Sequence, residues 1–73
     1  MRRQIPEALL DRVLTAPDQI VEERDHTKAY QSKLDFGNRR VFLLRAIVAD
    51  QKDPAVVVTV YLTSKIDKYW RSP

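Results

Sequence analysis

The 73-residue chain contains no cysteine, one glycine, one histidine and one tryptophan. Without cysteine there is no disulfide framework, no thiol nucleophile and no thiolate zinc site, so packing or a partner must supply stability. A single histidine among scattered acids lacks the ligand spacing of a metal centre, and neither a metal nor another cofactor is expected. One glycine cannot build a glycine-rich phosphate loop, and there is no Gly-x-Ser-x-Gly elbow or serine/histidine pair of interpretable spacing. No apolar run reaches the ~20 residues that cross a bilayer, and the basic start "MRRQIPEALL" has no long apolar stretch behind it of the signal-peptide kind. These absences lead us to expect a cytoplasmic protein without a membrane partner.

What is present is a 44% hydrophobic, 32% charged chain with a net charge of +3. That is the composition of a globular protein, and the length allows one domain, residues 1–73. A domain of this size buries only roughly 60% of the surface of its unfolded chain, so its core is thin. The basic balance attracts phosphates or acidic proteins at long range, but charge of this size does not choose between them.

Ile5-Pro6-Glu7 predicts a helix start, because proline at the first helical position loses no intrahelical bond and an early acid suits the dipole. The helix should span residues 6–15, with Leu9, Leu10, Val13 and Leu14 in one apolar stripe, and Pro17 ends it. Alternation then replaces the helical period. Four strands are predicted at residues 20–24, 28–36, 40–50 and 55–65, with "FGNRR" and "DQKDP" as turns. The fold class is therefore α+β, with one N-terminal helix packed on a three- to four-stranded antiparallel sheet in the order αββββ. The expected core sets Leu10, Val13 and Leu14 against Phe42, Leu44, Val48, Val56, Val58 and Val60.

The segment "VVVTVYLTSKIDKYW", beginning at Val56, fixes what lies on the other face. If Val56, Val58, Val60 and Leu62 point to the helix, then Val57, Thr59, Tyr61, Thr63 and Lys65 point away from it. Arg45 joins them, as can Lys33 and Gln31, and Lys68, Tyr69, Trp70 and Arg71 extend the set. Cations interleaved with hydroxyls and aromatic rings suit RNA, where charge neutralises phosphate and rings stack on unpaired bases. The same pattern also describes the solvated side of an ordinary antiparallel sheet. Val41, Leu43, Ile47 and Val57 on that face favour a covered surface and hence a partner protein or a second copy. His26 falls in a turn, where it is either an exposed loop histidine or a proton carrier. Glu22 and Glu23 read as edge-strand charges. "KIDKYW" should fold back as a turn or short helix, with Trp70 covering a core edge.

The stretches "IPEALLDRVLTAPDQI" and "VTVYLTSKIDKYW", with "RVFLLRAIV" between them, resemble a small prokaryotic domain-of-unknown-function family, number 4258, grouped by fold with RelE-like and BrnT-like toxins. The resemblance covers nearly the whole chain, although neither stretch is a catalytic motif. It implies a helix on a strongly bent antiparallel sheet and a small antitoxin-like partner. RelE-like members cleave RNA without metal, using basic and tyrosine side chains on the sheet. By that analogy Arg45 and Lys65 stabilise phosphate, Tyr61 or His26 carries the proton, and Lys33, Thr63, Lys68 and Arg71 bind the nucleic acid. Members begin with a further histidine-bearing segment followed by "RM..R.I", of which only "MRRQI" remains here, so the resemblance also implies an internal Met1 and truncation at the N-terminus. Three functions follow from these readings: a toxin-like metal-independent ribonuclease, a non-catalytic module that binds a protein or a second copy through the apolar part of the outer face, and a nucleic-acid binder.

Overall fold

The computed structural model describes residues 5–71, so the residues "MRRQ" that begin the "MRRQI" stretch lie outside the described residues. Helix α1 spans Glu7–Thr15 behind Pro6, with Glu7 in its first turn, and closes with the Ala16 amide donating to the Arg12 carbonyl at 2.8 Å. A meander of four strands follows: β1 (Gln19–Glu22), β2 (Lys28–Asp35), β3 (Val41–Ala49) and β4 (Val56–Thr63). A single turn of helix, α2 (Ile66–Tyr69), follows β4. The sheet order is β1-β2-β3-β4, antiparallel throughout. The expected α+β class and order are therefore present, with each strand boundary within two residues of expectation.

Two of the three hairpins, β1–β2 and β2–β3, have local causes. In the first, the Thr27 amide donates to the Arg24 carbonyl with Asp25 and His26 both at positive φ; in the second, Arg40 donates to Gly37 with Asn38 and Arg39 both at positive φ. Positive φ at both central residues marks the type I′ turn, whose twist matches that of the strands it joins. Gly37 itself sits at φ +87°, a conformation that costs glycine nothing.

Helix α1 packs on β2 and β3. On that face Val13 and Leu44 are buried, together with Ala46 and Val48, while Leu10 and Leu14 are half-buried. The turn between α1 and β1 is pinned to β2: the Asp18 amide donates to Ser32 Oγ, and Asp18 Oδ2 accepts from the Lys33 amide.

Strand β4 departs from the expected core. Val56 is 46% exposed and Val58 59%, so neither packs under the helix; Val60 and Leu62 are half-buried. The reason is a register shift: Ile47 pairs Thr59 but Val48 pairs Val57, which leaves Val58 without a partner of its own. One extra residue reverses the alternation upstream of it, and a period-2 reading cannot detect such a bulge. The opposite face is also different from expectation. Ala29, Gln31, Leu43 and Arg45 are buried there, so this is a second interior surface, crossed by the segment that follows β4.

Two predictions follow from this packing. Val13→Ala removes two buried methyl groups and should cost about 2–3 kcal/mol in urea unfolding, whereas Val58→Thr should stay within about 0.5 kcal/mol. The second concerns Tyr30, whose hydroxyl donates to Asp50 Oδ2 at 3.1 Å beside Lys28. Partial burial, then the hydrogen bond and the negative charge of Asp50, raise its pKa above the ordinary 10.0. The folded state thus holds that proton more tightly than the unfolded chain does, a stabilisation that is complete below the ordinary tyrosine value and is lost as pH rises through the folded one. An absorbance titration should find one late-ionising phenol, absent in Tyr30→Phe.

Candidate functional site

Arg45 sits at the middle of β3, opposite Gln31 on β2 and Tyr61 on β4. Its side chain is the one expected to face solvent and phosphate, yet the residue is only 2% exposed. Burying a guanidinium is costly unless its charge and its donors are matched, and here each of its three nitrogens has an acceptor, one of them a carboxylate. Nε donates to Gln31 Oε1 at 2.8 Å, Nη1 to the Tyr61 hydroxyl, and Nη2 to Glu23 Oε2 at 2.7 Å. The guanidinium carbon lies over the Tyr69 ring, 4.3 Å from its centroid, and Tyr69 meets Tyr61 edge-on. Among the described residues no buried side-chain nitrogen or oxygen lacks a partner.

Gln31 extends the network. Its Nε2 donates to Gln19 Oε1 at 2.7 Å and to the Tyr69 carbonyl at 3.3 Å. The Gln19 amide in turn donates to the Arg71 carbonyl at 2.6 Å and accepts from the Arg71 amide at 3.0 Å, so a side chain supplies the two bonds that a neighbouring strand would supply. The chain after β4 is thereby fastened across the sheet. Trp70 joins this cover, with Lys33 Nζ 4.2 Å above its ring.

The expected site residues form two groups, with His26 and Arg71 apart from both. Arg45 and Tyr61 are brought together as neighbours on one face. Lys33 and Thr63 both pair Leu43, and Lys65 and Lys68 follow on α2, Lys65 at its N-cap. His26 is in neither group: it is exposed in the turn before Lys28, which is three residues along β2 from Gln31, about 10 Å at ~3.3 Å per residue. Arg71 is held by its backbone while its residue remains exposed. Sequence reasoning missed Glu23 and Gln19. By its sequence Glu23 reads as an edge charge, whereas it follows β1 and its carboxylate reaches Arg45 two strands away.

Along the strands the charge is polarised. At the end where β2 turns into β3 and β4 runs out lie Lys33, Arg39, Arg40, Lys65 and Lys68, with Asp18, Asp35 and Asp67 as the acids. At the other end Glu22, Glu23, Asp25, Asp50 and Asp53 outnumber Arg24, Lys28 and Lys52. Among the described residues no group of three or more His, Cys, Asp or Glu side chains is placed to hold a metal ion, and no helix is long and apolar enough to cross a membrane.

The model of the family described as Domain of unknown function (DUF4258) matches residues 1–62. The chain belongs to this family. Comparison with curated proteins and with solved structures gave no match. The matched part of this DUF4258 domain carries Gln19, Glu23, Gln31, Arg45 and Tyr61, while α2, Tyr69 and Trp70 lie beyond it.

The network sets an expected order of stabilities. Arg45→Ala strands Gln31 and Glu23 and opens a cavity, and should cost about 3–5 kcal/mol. Glu23→Gln keeps an acceptor for Nη2, and because Glu23 is partly solvated the loss should be only about 1 kcal/mol. Urea denaturation of both variants measures the difference, and equal losses would mean that the buried cation does not organise this face.

Proposed function

We propose that this DUF4258 domain is a toxin-like component of a toxin–antitoxin pair, that it acts on RNA, and that it meets the RNA with the basic end of its sheet. The observation that carries this reading is the gathering of cations and aromatics at one end of one sheet, Lys33 over the Trp70 ring and Lys68 over that of Tyr69, with Lys65 at the N-cap of α2. Phosphates are neutralised by exposed cations, and unpaired bases stack on aromatic rings. Arg45 is engaged on three sides, so in this reading it orients the Tyr61 hydroxyl and Lys65 meets phosphate.

The chemistry such a site can support is intramolecular. The RNA 2′-hydroxyl attacks the adjacent phosphorus as its proton leaves to a base, the bond from phosphorus to the 5′-oxygen breaks, and that oxygen takes up a proton. The products are a 2′,3′-cyclic phosphate and a 5′-hydroxyl. The protein supplies charge stabilisation and proton transfer, roles that this reading gives to Lys65 and Tyr61 respectively. A second reading, a non-catalytic protein-binding module, is favoured by one observation: Val56, Val57 and Val58 are consecutive and exposed.

Salt dependence separates the two readings. Affinity for single-stranded RNA should fall steeply with salt, and Lys65→Ala with Lys68→Ala should reduce the slope of log K against log salt by about 1.4, at ~0.7 per phosphate contact. Expression should slow growth, and Tyr61→Phe should relieve it. RNA binding indifferent to salt, or undiminished toxicity in the tyrosine variant, would remove the proposed site.

A further inference from the structure

The two edges of the sheet are unlike. The β1 edge has four residues, carries Glu22 and has the Arg71 backbone fastened beside it at Gln19. Short length, charge and covering chain are usual ways of closing an edge to other strands, as is a bulge, which β4 has only near its start at Val58. The β4 edge has eight residues, and the stretch "AVVVTVYLTS" around it contains no charge, no proline and no glycine. The chain that follows it leaves this edge and crosses towards β1. Val56, Val57 and Val58 are 46%, 41% and 59% exposed there, and the unpaired Val58 takes no part in the β3 ladder.

We propose that β4 pairs with β4 of a second copy of this chain, forming a continuous eight-stranded antiparallel sheet about a two-fold axis perpendicular to it. Symmetry allows such an isologous contact, and that axis keeps the two α1 helices on the same face. Charge selects the occupant. Strand β4 begins at the acidic end, where Val56 pairs Ala49 next to Asp50, and ends at the basic end, where Thr63 pairs Leu43 ahead of Lys65. Antiparallel pairing places the basic end of each copy beside the acidic end of the other, twice over, while the uncharged strands meet without repulsion. Main-chain hydrogen bonds supply the attachment and the valines are covered. The contact uses the outer main chain of β4, whereas the RNA reading uses the Tyr61 hydroxyl, which is turned to Arg45; dimerisation is read by light scattering and RNA action by growth, so failure of one is distinguishable from failure of the other.

Light scattering with size-exclusion chromatography on the full chain should report a dimer. Val58→Lys puts a positive charge near the partner's basic end and should weaken dimerisation by about tenfold or more, whereas Val58→Glu should weaken it less, because like charges across an interface repel and opposite ones do not. Ile20→Lys on the β1 edge should leave the dimer intact. Val58 is exposed and unpaired, so both variants should keep the wild-type circular dichroism and melting profile. A monomer at high concentration, a dimer insensitive to Val58→Lys, equal effects of the two charges, or dissociation by Ile20→Lys would overturn the proposal.

Discussion

A guanidinium held in the interior of a four-stranded sheet constrains everything around it. Arg45 is buried on a strand whose neighbours must supply acceptors, and each does so from a different place: Gln31 from β2, Tyr61 from β4 and Glu23 from the chain just after β1. A charge taken out of water is tolerated only when all of its strong donors find partners, so the positions of three other segments are tied to this one side chain. The stacking of Tyr69 then draws in the chain after β4, and Gln31 and Gln19 fasten it. In a chain of 73 residues with no disulfide, such a network gives the sheet a second interior face where the apolar side chains are too few to make one.

The meander has a further consequence. Because each strand reverses the one before it, the turns alternate between two ends of the sheet, and residues distant in sequence are collected by end. The Arg39-Arg40 turn meets Lys65 and Lys68, and the turn at Asp25 meets Asp50 and Asp53. A net charge of +3 thus conceals a molecule with a basic end and an acid-rich end. The long-range field of the molecule depends on that separation rather than on the total.

Much of this was legible in the residues. Pro6, the 3.6-residue stripe and Pro17 located α1, and alternation with turn residues located four strands. Alternation also placed Arg45 and Tyr61 on one face, and the register made them neighbours. It failed at Val56 and Val58, because the bulge opposite Val48 inserts a residue that carries no compositional mark in a run of five β-branched residues. It also failed to pair Glu23 with Arg45. The only trace of that bond in the sequence is an acid at the end of a strand, and most such acids are solvated.

The sequence by itself determined the class of fold, the order of its elements, the membership of each face outside the start of β4 and the absence of thiol chemistry, because these depend on periodicity, turn residues and composition, which are local. Tertiary structure alone decided that the polar face is an interior, that its central cation is already paired, and that the β4 edge carries the exposed valines. Those outcomes depend on where a carboxylate two strands away and a segment beyond the last strand come to rest, and on one residue of slippage between paired strands. Each is a relation between distant parts of the chain.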